Sequence, residues 1–249
     1  MISFDKSDMI LVTGASSGIG KSIALLLNEL GASVVAIGRD EKRLDELYFE
    51  CKNKENMFLE QKDLVEDIES LPKYISFLKD KYGKFRAFVY SAGDVSIEPL
   101  KAIDLLSSKK LFDINYFAPL FMLKGICSKK NNIGYGFSAV LISSIAASIG
   151  EKAMSIYSGS KAALTISAKC ISKEYANLRI NTISPSFVDT KMTSGIKNKY
   201  EDLYKGDSDS EYPLGFGKPE DIANLCVFLL SDKASWISGS DYKITGGGY

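Results

Sequence analysis

Two side chains four residues apart could carry acid/base chemistry: Tyr157 and Lys161, in the run Tyr157-Ser158-Gly159-Ser160-Lys161. On a helix, residues i and i+4 project from one face. An ammonium beside a phenol favours the phenolate and draws its pKa from ~10 toward neutrality, which yields a usable general acid/base. By itself a YxxxK run is common, and a half-buried tyrosine beside a solvated lysine is the plainer reading. Ser144 stands upstream, just past the apolar run 140–142. That is the C-terminal end of an expected strand, where open α/β sheets bind ligands. Asn115, in Asp113-Ile114-Asn115-Tyr116, falls on a stretch that reads as helical.

What the chain lacks narrows the chemistry further. It has no histidine, which removes Ser-His-Asp hydrolysis, Cys-His nucleophiles and histidine-ligated zinc. Acid/base work falls to Tyr, Lys, Asp, Glu or Cys. The four cysteines, Cys51, Cys127, Cys170 and Cys226, are far apart and form no CxxC pair. Buried, reduced thiols are expected rather than disulfides, and no metal site is expected.

The side chains need a scaffold, and short apolar runs alternate with longer amphipathic stretches in the rhythm of βαβ units. Strands are expected at 9–13, 33–38, 57–61, 86–91, 137–143, 179–184 and 241–245. Helices are expected at 20–30, 41–52, 65–82, 99–114, 117–129, 154–175 and 219–230. The predicted architecture is α/β: a single doubly wound Rossmann-type domain over 1–249, its parallel sheet flanked by helices. The long irregular segment 186–213 reads as a substrate lid.

Between the first strand and first helix lies Thr13-Gly14-Ala15-Ser16-Ser17-Gly18-Ile19-Gly20. Glycines let the backbone turn sharply and approach a phosphate, and the helix N-terminus offers free N–H groups and a positive dipole end. A tight turn without ligand is the alternative, but its place after the first strand of a βαβ rhythm favours dinucleotide binding. At the end of the second strand, NAD-binding folds commonly carry an acidic residue that bonds the ribose and repels a 2′-phosphate. Here stands Gly38, followed by Arg39, whose guanidinium suits a phosphate. Asp40 reads as the N-cap of the next helix. NADP(H) is therefore favoured over NAD(H).

Taken together, the TGxxxGxG turn and the ordered set Asn115, Ser144, Tyr157 and Lys161 resemble the classical short-chain dehydrogenase/reductase family, and the likeness covers essentially the whole chain. It implies that these four form a catalytic tetrad. Tyr157 would exchange a proton with the substrate oxygen, Ser144 would hydrogen-bond that oxygen, Lys161 would tune Tyr157 and hold the nicotinamide ribose, and Asn115 would support a relay water. The resemblance also assigns cofactor contacts. They fall to Gly14, Ser16, Ser17, Gly18, Ile19, Gly20 and Arg39, to the adenine-contacting pair Asp63-Leu64, to Ser91-Ala92-Gly93, and to Pro185, Val188 and Thr190. Two positions depart from the family pattern: Ser91 replaces an Asn, and Ser186 replaces a Gly, which predicts a differently shaped loop if positive φ is needed there.

Lys plus Arg and Asp plus Glu both number 31, so no general attraction for nucleic acid or anionic lipid is expected. The start lacks the basic and long apolar regions of a signal peptide, and no apolar run is long enough for a membrane span. A cytoplasmic enzyme for a small carbonyl or alcohol substrate is expected, such as a 3-oxoacyl thioester, a sugar or a small ketone. A catalytically inactive NAD(P)-binding regulator and an NAD-dependent alcohol or polyol dehydrogenase are the alternatives. By family likeness a homo-oligomer is expected, a tetramer or else a dimer, built on Phe112, Phe117, Phe121, Met122, Ala163, Ile166 and Ile171.

Overall fold

The computed structural model describes residues 1–190, 193 and 212–248. Most of the expected lid 186–213 lies outside the described residues. Seven strands form one sheet in the order β3-β2-β1-β4-β5-β6-β7, every pair parallel. They are β1 (Met9–Thr13), β2 (Ser33–Gly38), β3 (Met57–Gln61), β4 (Phe85–Tyr90), β5 (Ser138–Ile142), β6 (Arg179–Pro185) and β7 (Asp241–Ile244). β1, β2, β4 and β5 are buried at every position. Near-continuous apolar runs are what a parallel sheet covered on both faces requires.

Side chains alternate between the two faces. Ile10, Val12, Val34 and Val140 pack against α1 (Gly18–Glu29), α2 (Glu41–Glu50) and the helix Pro219–Leu230, labelled α8. Leu11, Phe88 and Leu141 pack against α3 (Leu71–Tyr82), α5 (Ala118–Ile126) and α7 (Ser155–Glu174). Each buried Leu, Ile, Val or Phe contributes about 1.5–3 kcal/mol, so the two layers hold the sheet rigid beneath whatever its C-terminal edge carries. The strand order reverses between β1 and β4. That switch point opens a crevice at their carboxyl ends, the usual ligand site of such sheets.

Three helices differ from their expected bounds for local reasons. The helix expected over 65–82 begins at Leu71, because Pro72 sits in its first turn and Asp67 caps a preceding 3-10 turn by accepting from the Ser70 N–H. The one expected over 99–114 is shortened to α4 (Leu105–Phe112), which Asp104 caps through the Ser107 N–H at 2.8 Å. The expected break before residue 117 is instead a π-helical turn, Asp113–Phe117, that runs α4 into α5. The short helix α6 (Ala146–Ile149) has no counterpart in the expected elements.

Candidate active site

The glycine turn comes first, since everything else is arranged around it. Gly14 has φ +65°, and a Cβ there would stand 2.7 Å from Ala92 N and 2.8 Å from Ser91 O. A Cβ on Gly20 would stand 2.3 Å from Gly14 O, and one on Gly18 would stand 3.2 Å from Thr190 Cγ2. The glycines thus let the first turn fold against the start of α1, the β4 exit and the β6 exit. Ser17, at the N-cap of α1, makes no side-chain cap, and the first turn carries no acidic residue. The opening N–H groups of α1 are left free to meet an anion. This cradle fits a dinucleotide pyrophosphate.

The neighbouring strand ends complete a row along the C-terminal edge of the sheet. After β4, the N–H groups of Ser91 and Ala92 donate to Thr13 Oγ1 at 3.2 and 3.3 Å. The serine in place of Asn leaves this backbone anchor in place. After β6, Ser186 N–H donates to Ile244 O at 2.9 Å. Among the described residues Ala153 is the one non-glycine with positive φ, so Ser186 sits on backbone that a serine adopts without strain. Val188 is buried and bridges Gly217, offering backbone alone, while Thr190 is tied to Thr193 and lies over the start of α1.

At the far end of the row, Gly38 closes β2 against Ser16, whose Cβ lies 2.9 Å from where a Gly38 Cβ would be. Arg39 is exposed, its carbonyl accepting from Gln61 Nε2 at 3.2 Å. Asp40 caps α2 through the Arg43 N–H and pairs with the Arg43 guanidinium, as its expected N-cap place implies, so Arg39 keeps its charge for another partner. Asp63 accepts from Val65 N–H at 3.1 Å, and Leu64 beside it is buried in the α3/α5/α7 layer.

The acid/base candidates sit on the opposite side of the same crevice. α7 is long and packs along β5 and β6. Its anchor is Ser143, whose hydroxyl donates to Lys161 O at 3.2 Å and shares a 2.7 Å hydrogen bond with Thr165. That anchor sets Tyr157 and Lys161, one turn apart, over the end of β5. Ser144, just beyond β5, stands close enough to the Tyr157 phenol to lower its pKa and accepts from Ala146 N–H at 3.2 Å, which starts α6. Lys161 is buried and donates from Nζ to Ile142 O at 3.0 Å.

Asn115 reaches this group through the π turn, which rotates it out of α-helical register, a common device at functional sites. The Tyr90 phenol donates to Ile114 O at 2.7 Å and satisfies a carbonyl in that turn. Asn115 is fully buried; its Nδ2 donates to Asp94 O and to Ser160 Oγ, and its Oδ1 accepts from Asp94 N–H. A Cβ on Gly93 would lie 3.0 Å from Asn115 Oδ1 and 3.4 Å from Lys161 Nζ. Gly93 is thus the contact point between the β4 exit and α7. Ser143, Ser160 and Asp94 are the supporting residues that spacing did not single out; each flanks a motif residue, and only the fold shows what its polar group holds.

Burial is the largest influence on Tyr157 and pushes its phenol above the ordinary value; the Ser144 hydroxyl pulls it back and the Asp94 carboxylate pushes it further up. Burial pushes the Lys161 ammonium down to about 8. The phenol shift in the protein alone thus runs opposite to the direction expected beside an ammonium, with burial as its largest cause. The Lys161 ammonium is engaged on Ile142 O, and desolvation disfavours its own charge. The cysteine expectation is corrected in one place, because Cys170 is exposed while Cys51, Cys127 and Cys226 are buried. No helix among the described residues is long and apolar enough to cross a membrane.

This geometry has close counterparts. Residues 14–248 match the family model described as Enoyl-(Acyl carrier protein) reductase. The chain is 31% identical over 248 residues to the 3-oxoacyl-[acyl-carrier-protein] reductase FabG of Thermotoga maritima, covering 95% of this chain and 96% of that one. It is 27% identical to the NADP-dependent (R)-specific alcohol dehydrogenase of Lentilactobacillus kefiri, covering 97% and 96%. A solved short-chain dehydrogenase/reductase from Brucella melitensis superposes with a TM-score of 0.90 at 26% identity, covering 100% of this chain and 99% of that one. With matches of this extent laid over a doubly wound sheet whose glycine cradle faces Ser144, Tyr157 and Lys161, the chain belongs to the classical short-chain dehydrogenase/reductase family of NAD(P)(H)-dependent oxidoreductases.

Proposed function

We propose that the protein reduces a neutral carbonyl compound with NADPH, or runs the reverse oxidation with NADP+, with Tyr157 as the general acid/base. The observation that carries this reading is the meeting of Ser144, Tyr157, Lys161 and Asn115 at the ends of β4 and β5, across one crevice from the glycine cradle. Gly14, Ser16, Ser17, Gly18, Ile19 and Gly20 would hold the pyrophosphate. Asp63 and Leu64 would flank the adenine, Ser91, Ala92 and Gly93 the adenosine side of the crevice, and Pro185, Val188 and Thr190 the carboxamide. The bound dinucleotide supplies the hydride.

The chain's own residues handle the oxygen. The Ser144 hydroxyl and the Tyr157 phenol converge, so one carbonyl oxygen can accept from both. A phenol held above its ordinary pKa keeps its proton until negative charge develops on that oxygen, which is when a general acid is needed. Lys161, held by Ile142 O, keeps an ammonium beside Gly93 where it can steady the ribose and ease recharging of Tyr157. Asn115 fixes the β4 exit to α7 and so keeps the two sides of the crevice in register.

Preference for NADP(H) is supported by Arg39, exposed at the end of β2 with its neighbour Asp40 already occupied, by Gly38 in place of a repelling carboxylate, and by the named cofactor of the 27%-identical relative. Mostly buried, unpaired thiols suit the reducing cytoplasm. Exposed Phe117 and Ile166, at 42% and 58%, support a homo-oligomer, while Met122 is packed under the sheet and drops out of that surface. A panel of 3-oxoacyl thioesters, small ketones and sugars, assayed with NADPH and NADH, tests the reading. NADPH-dependent turnover of at least one carbonyl is expected, and tight NADPH binding without turnover of any substrate would instead indicate a binding protein.

A further inference from the structure

We propose that Asp94 determines substrate charge: its carboxylate at the rim of the crevice selects neutral or cationic carbonyl compounds over those with an anionic group beside the carbonyl. The inference rests on the reductase reading above and sharpens its substrate class. Asp94 follows Gly93, whose missing side chain would lie against Asn115 and Lys161 Nζ. Both its backbone polar groups are clamped by one buried side chain, Asp94 N–H donating to Asn115 Oδ1 at 3.0 Å and Asp94 O accepting from Asn115 Nδ2 at 2.9 Å. The residue is therefore fixed in place although it is exposed.

One of its carboxylate oxygens accepts from Val95 N–H at 2.8 Å. Among the described residues no lysine or arginine pairs with it. Asn115, which clamps its backbone, also holds Ser160 Oγ on α7, and Gly93 before it lies beside Lys161 Nζ, so Asp94 is fixed next to the Tyr157–Lys161 pair; its charge acts on the Tyr157 phenol and so on a substrate whose carbonyl oxygen sits there. A substrate carboxylate one or two carbons from the carbonyl would be placed near a like charge that no ion pair among the described residues neutralises. Ester, thioester and hydroxylated groups meet no such repulsion, and the unengaged oxygen can accept from a hydroxyl. A like-charge contact at the edge of a partly dry crevice, discounted for exposure to water, changes relative affinity by about five- to tenfold.

Asp94→Asn removes the charge and keeps the shape, and both Asn115 bonds use backbone atoms, so the fold should be untouched. The probes are paired compounds with one acyl chain, ethyl acetoacetate with acetoacetate and ethyl pyruvate with pyruvate. For each pair the ester-to-acid ratio of kcat/KM is measured with NADPH in wild type, Asp94→Asn and Asp94→Lys. The expected ratio falls about five- to tenfold in Asp94→Asn and further in Asp94→Lys. Ratios equal in the three proteins would overturn the inference while leaving the reductase reading standing. Absence of turnover of every ester and acid by all three proteins would overturn both. Asp94→Ser, which keeps the same backbone bonds, provides the uncharged variant if Asp94→Asn fails to fold.

Discussion

Gly14→Ala should damage the protein more than an equivalent change at another positive-φ glycine, and the structure supplies the comparison. Gly14 (φ +65°) and Gly83 (φ +98°) both hold a conformation that an L side chain resists, but only Gly14 faces backbone. At Gly83 a Cβ would find nothing within 4 Å, so Gly83→Ala should cost only the left-handed penalty, about 1–2 kcal/mol. At Gly14 the same penalty applies, and the new Cβ also meets Ala92 N and Ser91 C and O at 2.7–2.8 Å. Backbone cannot rotate away, so the turn must lift off the β4 exit. Overpacking of this kind adds about 1–3 kcal/mol, for a total of about 2–5 kcal/mol. For a chain of this size each kcal/mol lowers Tm by roughly 2–4 °C. Calorimetry should therefore place Gly14→Ala several degrees below Gly83→Ala. NADPH binding, followed by nicotinamide fluorescence, should be lost in Gly14→Ala and kept in Gly83→Ala. Equal melting temperatures for the two variants, with NADPH binding intact in both, would refute the view that this turn is held by close backbone approach.

The remaining predictions concern charge, pH and assembly. Arg39→Ala should raise KM for NADPH about tenfold, the scale of a charge-assisted hydrogen bond, and leave KM for NADH nearly unchanged; equal effects on both would remove Arg39 from 2′-phosphate recognition. Because burial depresses the Lys161 ammonium to about 8, the unfolded chain binds more protons there between about pH 8 and 10.5, and stability must rise with pH through that window. Below it, charging a buried lysine disfavours the fold by up to about 3 kcal/mol. The melting temperature of wild type relative to Lys161→Met should thus be lowest near neutrality and improve toward pH 10.5 (about the lysine value), and a pH-independent difference would contradict the assignment. Light scattering at micromolar concentration should give a dimer or tetramer that Phe117→Glu weakens; a monomeric wild type would show that the exposed Phe117 and Ile166 surface is not an interface.

The parts of this architecture that could be read ahead of the fold are those where periodicity and local chemistry agree. The inner strands β1, β2, β4 and β5 are largely apolar runs, and the bounds of all seven match to within a residue or two, from β1 (Met9–Thr13) to β7 (Asp241–Ile244). Helix starts were less legible, because competing caps such as Asp67 and Asp104 move them by several residues. The π turn at Asp113–Phe117 was not legible at all, since no spacing rule separates it from α-helix; Tyr90, reaching Ile114 O from another element, is part of what stabilises it. The same distinction holds in the site. Residue order along the chain singled out Asn115, Ser144, Tyr157 and Lys161 as candidates, yet the direction of the Tyr157 shift depends on burial and on Asp94, which are properties of packing. Ser186 is a further case, since only the fold shows that its φ is not positive.

The central claim is that Tyr157 gives and takes the proton at the substrate oxygen. Tyr157→Phe keeps the ring and its packing and removes the transferable proton. With the substrate found by the panel, kcat should fall by at least ~10²-fold, the lower range for loss of general acid/base catalysis, while the Kd for NADPH stays within about twofold of wild type, a difference below ~0.5 kcal/mol. Near-normal turnover in this variant, with NADPH bound as before, would contradict the account.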